Sequence, residues 1–84
     1  MGKLCSVSSK VEEVLITLYK EPLSRAQLRE KLGFGAQTIT NITRWLLKNG
    51  LVEEKIEGRY LKLVLTDRGR KLAELVMEIE KLIA

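Results

Sequence analysis

The chain has 84 residues, 45% hydrophobic and 31% charged, a composition expected of one small globular domain over residues 1–84 with a modest core. That length leaves no room for a deep substrate cleft beside a separate regulatory module, so a simple binding module is favoured. The formal net charge of +4 is unevenly placed, with eight Lys and Arg against four Glu in residues 1–50 and seven against seven Asp and Glu in residues 51–84, a balance that suits an anionic partner.

Lys3 is followed only by a short Ser-rich polar stretch, not the apolar core of a signal peptide, and no apolar run approaches the roughly 20 residues of a membrane span; a cytoplasmic location is expected. Cys5 has no second cysteine to pair with and is expected to be an inert terminal thiol or a bridge to a second copy. Ser9 and Glu12 form a capping box, and Val11, Val14, Leu15 and Leu18 recur at helical spacing, which predicts a helix over 10–20. Pro22 ends it, because proline lacks the N–H and pushes Glu21 out of the helical region. Ser24 with Gln27 is a second capping box, opening a short helix through Leu28 and Leu32 that stops at Gly33. Gly33, Phe34 and Gly35 then make a tight turn with one hydrophobic plug, and the order becomes helix, turn, helix.

The next helix, 36–49, is the most informative segment. At 100° per residue Ile39, Ile42 and Leu46 share one stripe, while Gln37, Asn41, Arg44 and Lys48 gather on the opposite side, flanked by Thr38 and Thr40, with no acidic residue among them. Amides and a guanidinium can read base edges bidentately, and Lys and Thr can hold phosphates. The alternative is a helix face that is merely solvated. Asn49 and Gly50 stop the helix, since both tolerate the left-handed conformation.

Two short strands follow, 51–57 and 60–65, joined by Gly58 and Arg59 in a turn of type II′. This register pairs Ile56 with Leu61, Glu54 with Leu63 and Val52 with Leu65, and side-chain alternation independently sets Leu61, Leu63 and Leu65 on one face. Only Glu54 breaks the inner row, and an edge carboxylate that snorkels to water or pairs with a basic neighbour is expected there. On the outer face Lys55 lies opposite Lys62, which calls for a compensating anion: DNA phosphate on one reading, Glu53 and Glu57 on the other. Thr66 and Asp67 start a last helix, 67–84, whose Leu72, Leu75, Val76, Ile79, Leu82 and Ile83 recur at helical spacing.

This order, mainly α with a small β-hairpin and an extended segment or very short strand near Leu23, resembles the winged helix-turn-helix (α-α-α-β-β-α). Residues 38–52, TITNITRWLLKNGLV, are similar to the recognition helix and its exit into the wing in MarR-type and PadR-type transcriptional regulators, and 65–69, LTDRG, to the stretch with which such proteins leave the wing. The resemblance implies a sequence-specific regulator that binds double-stranded DNA, usually as a homodimer. Two departures stand out. Thr43 occupies a position where these families put an apolar core residue, either loosening the packing or supplying a hydroxyl bonded back to Ile39. The sequence also lacks the additional terminal helices of larger members, so no small-molecule ligand is expected.

In a helix-turn-helix the second helix enters the major groove amino-terminal end first. Gln37 and Asn41 become candidate readers of adenine, Arg44 a reader of guanine or a phosphate clamp, and Lys48 a phosphate contact, with Thr38 and Thr40 beside them. Amides at Gly35 and Ala36, or at Ser24 and Arg25, could donate to phosphates; the alternative is that these positions simply cap their helices. In the wing, Arg59 at the tip reaches the minor groove or its backbone, with Lys55 and Lys62 as further contacts. Trp45 is expected to pack against the first helix. The last helix offers Leu72, Leu75, Val76, Ile79, Leu82 and Ile83 to a second copy, which would set two reading helices about 34 Å apart; the alternative is a helix folded back over its own core. With no His, one Cys and one Asp, no catalytic constellation, metal site or cofactor site is expected. The rival to DNA binding is a winged helix used as a protein-interaction module. Charge carried mainly by Lys and Glu, with two Asn and two Gln, leans toward a thermophilic source.

Overall fold

A computed structural model describes residues 9–83, in the order α1 (Ser9–Lys20), β1 (Leu23–Ser24), α2 (Arg25–Leu32), α3 (Ala36–Lys48), β2 (Val52–Glu57), β3 (Tyr60–Leu65) and α4 (Asp67–Ile83). The expectation for Cys5 lies outside the described residues. The three strands form an antiparallel sheet in the order β1-β3-β2, and with the helices they make a winged helix-turn-helix. Val14, Leu15, Leu28, Ile39, Leu46, Leu63 and Ala73 are fully or almost fully buried, so every helix and the wing contribute to one core.

Helix α1 already includes Ser9, so Ser9 is not its cap as expected; helix ends read from sequence shift easily by one residue. The second capping box forms as expected, with the Ser24 hydroxyl accepting from the Gln27 amide at 3.2 Å and the Gln27 side chain accepting from the Ser24 amide at 2.9 Å. Phe34 plugs the turn against the core, with the Lys10 ammonium 5.7 Å from its ring centre. Trp45 also packs on the core.

The junction of α3, wing and α4 is knotted by backbone hydrogen bonds. The Gly50 and Leu51 amides donate to the Leu47 and Leu46 carbonyls at 3.1 and 2.9 Å, the pattern of a Schellman stop. Gly50 takes the left-handed φ of 69° that this stop requires, whereas Asn49 does not, at φ −93°. The returning strand closes the knot: the Thr66 amide donates to the Leu51 carbonyl at 3.0 Å, its hydroxyl donates to the Gly50 carbonyl at 2.7 Å, and the Gly69 amide donates to the same hydroxyl at 3.1 Å. Thr66 therefore caps α4 while holding the wing's two ends together. The hairpin register is as expected from the turn, with Val52 opposite Leu65, Glu54 opposite Leu63, Lys55 opposite Lys62 and Ile56 opposite Leu61.

Helix α4 is clamped to α1 by the Tyr19 hydroxyl, which donates to Glu74 at 2.8 Å, with the Arg70 guanidinium over the Tyr19 ring. The Glu74 carboxylate, as hydrogen-bond partner, raises the Tyr19 pKa above its ordinary value. The helix turns Val76 inward to 2% exposure and packs Leu72 on the core, which removes both from the apolar stripe expected to meet a second copy. A stripe of hydrophobic residues fixes a helix's apolar side, but not how much of it the rest of the chain covers. Leu75, Ile79, Leu82 and Ile83 remain exposed.

Candidate nucleic-acid interface

Helix α3 is held by Ile39, Ile42 and Leu46 in the core, and this fixes which side faces outward. Gln37, Asn41, Arg44 and Lys48 lie on that outward side, and Thr38 and Thr40 flank it half-buried. The Gln37 side-chain NH2 donates to the Asn41 carbonyl oxygen at 3.2 Å, one turn apart, which pre-orients the two amides and leaves the Gln37 oxygen and the Asn41 NH2 facing solvent. Among the described residues, no carboxylate pairs with Arg44, Lys48, Lys55 or Arg59. The amino terminus of α3 has Gly35 as its cap and no side-chain cap bond, so its first amides are met by no side chain of their own cap.

The wing follows α3 directly in the chain. Arg59 is exposed at its tip, next to Gly58 at φ 63°. Lys55 and Lys62 are opposed as expected, and Glu57 resolves the conflict: its carboxylate lies 2.8 Å from the Lys62 ammonium, which by hydrogen bond and charge holds the Glu57 pKa below its usual value. Lys62 is thus compensated within the wing, and Lys55 is the cation left over. The sign of the Glu57 shift makes this pairing present near neutral pH and lost as pH falls through the lowered pKa.

Ser24 and Arg25, both half-buried, already have partners within the domain. The Ser24 amide is satisfied by Gln27. The Arg25 guanidinium donates through Nε to the Thr43 hydroxyl at 3.1 Å and sits 3.0 Å from the Glu54 carboxylate through Nη1. The Thr43 hydroxyl, fully buried, donates in turn to the Ile39 carbonyl at 2.9 Å. In the sequence Thr43 and Glu54 stand out separately, as polar residues interrupting inward-facing rows, with nothing to join them. Thr43 is buried and its hydroxyl needs a partner, but nothing in the spacing of residues 25, 43 and 54 says that one guanidinium meets both. Among the described residues no cluster of three or more side chains able to hold a metal ion occurs, and no helix is long and apolar enough to cross a membrane.

At the level of sequence, no family model and no curated protein matches the chain. Its fold is similar to that of MepR, a transcription regulator of the Staphylococcus aureus multidrug efflux pump MepA, with a TM-score of 0.84 and 22% identity over 93% of this chain and 61% of that one. It is also similar to AF1382 from Archaeoglobus fulgidus, at a TM-score of 0.80 and 23% identity over 93% and 91% of the two chains. ZitR from Lactococcus lactis gives a TM-score of 0.80 and 22% identity over 90% of this chain. The chain spans 61% of the length of the MepR and ZitR chains.

Proposed function

We propose that this chain is a sequence-specific, double-stranded DNA-binding transcriptional regulator that lays α3 in the major groove and the wing tip against the adjoining backbone or minor groove. The observation that carries the reading is the outward face of α3, which presents two amides, a guanidinium and an ammonium with no carboxylate upon them among the described residues. Gln37 and Asn41 are assigned to adenine edges, Arg44 to guanine or phosphate, Lys48, Lys55 and Arg59 to phosphates, and Thr38 and Thr40 to contacts beside them. The regulator MepR, similar in fold, supports the reading. A protein-docking winged helix is the second reading, favoured by the exposed Glu53 and Glu57 of the wing.

Selection of duplexes from a random pool, followed by salt titration of the preferred one, separates the two readings. Each neutralised phosphate contributes a slope of about −0.9 in log affinity against log salt, so four uncompensated cations predict a slope of about −3 to −4 per protomer. Failure to enrich any duplex, or affinity indifferent to salt, would falsify DNA reading.

The exposed stripe of α4, Leu75, Ile79, Leu82 and Ile83, is assigned to a second copy of the chain. Replacing Leu75 and Ile79 by Glu is expected to convert a concentration-dependent dimer into a monomer in sedimentation at tens of micromolar. Wild-type chain that sediments only as monomer there would remove the assignment.

A further inference from the structure

Arg25 stands where the geometry points to a role other than DNA contact. One planar guanidinium touches the buried hydroxyl of Thr43 in α3 and the carboxylate of Glu54 in β2, at 3.1 and 3.0 Å. Its backbone is anchored as well, because the preceding Ser24 closes the α2 capping box and pairs with Lys62 of β3. Leu23, Leu63 and Glu54 lie side by side across the sheet, so the start of α2 grips β3 through the backbone and β2 through this side chain.

Resting on the DNA-binding reading above, we propose that Arg25 is a positioning residue that sets the angle between the reading helix and the wing, and thereby the place of Arg59 relative to the groove read by α3. Beyond Glu54 the next inward pair, Ile56 and Leu61, is 80% and 43% exposed, so among the described residues Glu54 is the outermost inner-row position of the wing tied to the rest of the domain by an ion pair. From there the wing runs roughly 13 Å to its tip at about 3.3 Å per residue, and a tilt of about 10° displaces the tip by about 2 Å, enough to break a phosphate contact. Lysine cannot substitute, because a single ammonium does not reproduce two bonds from the fixed fork of a guanidinium. The Arg25 charge is already compensated by Glu54, so the pair adds nothing to the cationic field that attracts DNA.

The test turns on sign. An acidic residue that is only a bystander near a DNA interface weakens binding by repulsion, so Glu54→Ala would then tighten it. A positioning role predicts the reverse: Glu54→Ala and Arg25→Lys each weaken binding to the preferred duplex about fivefold, and Glu54→Ala has less than about a twofold effect in an Arg59→Ala background, because the contact it positions is already gone. In the free chain, backbone amide relaxation of residues 55–61 changes in Glu54→Ala while that of α1 and α4 does not. Glu54→Gln, which keeps the shape and one acceptor, gives an intermediate effect and serves if the alanine variant folds poorly. Tighter binding, additive losses with Arg59→Ala, or unaltered wing relaxation overturns the proposal. Absence of duplex binding by the wild-type chain defeats the DNA reading instead, and the relaxation measurement then decides alone whether Arg25 holds the wing.

Discussion

Replacing Asn41 and Arg44 together by alanine is expected to erase the preference for a selected duplex over random DNA while leaving the unfolding midpoint of the protein unchanged. Each good bidentate pair between a side chain and a base edge discriminates by about 1–3 kcal/mol, so losing both removes about 2–6 kcal/mol of selectivity, roughly 30-fold at the least. The fold has no stake in either side chain, since both are exposed and the bond Asn41 accepts comes from Gln37 on the same surface. Residual binding to random DNA persists through Lys48, Lys55 and Arg59, with a salt slope reduced by about one unit if Arg44 also touches phosphate. Competition binding measures the outcome directly. Equal losses on preferred and random duplexes would show that these residues attract DNA without reading it.

Gly69→Ala carries the largest expected effect on stability. A Cβ at this position would collide with the Leu51 carbonyl oxygen and crowd the Leu65 side chain. That oxygen is not free to move, because it accepts from the Thr66 amide in the knot that joins α3, wing and α4. Relief requires α4 to shift away from the wing, and a loss of about 3 kcal/mol, at the upper end for overpacking, is expected. For a domain of this size that corresponds to a fall in Tm of roughly 15 °C. Gly35→Ala is the matching control, since nothing lies near its missing Cβ and its φ of −68° is ordinary, and it is expected to leave stability within about 1 kcal/mol. Unchanged denaturant midpoints for both variants would show that Leu51 and Gly69 are not in close contact.

The contrast between these positions shows what sequence can and cannot disclose. The hairpin register is legible because two independent constraints coincide: a two-residue turn beginning with Gly58, and the alternation of Leu61, Leu63 and Leu65. The orientation of α3 is legible for a similar reason, since its apolar stripe leaves only one side for Gln37, Asn41 and Arg44. The bridge through Arg25 is not legible, because its partners at 43 and 54 lie on other elements and only the packed fold brings them together. Lys62 likewise has two candidate acids in the sequence, and side-chain geometry selects Glu57. For α4, periodicity marks Leu72 and Val76 as apolar just as it marks Leu75 and Ile79, and only the core's actual reach separates the pair turned inward from the pair left bare.

The central claim, that the outward side of α3 beds into a duplex groove, is tested most directly by following the protein's amide resonances during titration with the selected duplex at modest salt. The largest shifts are expected at the side-chain NH2 groups of Gln37 and Asn41, at the backbone amides of residues 36–44, and at Gly58 and Arg59 of the wing tip. A duplex that binds while these resonances stay still, with the shifts falling instead on α4 or on the far side of α1, would contradict the account.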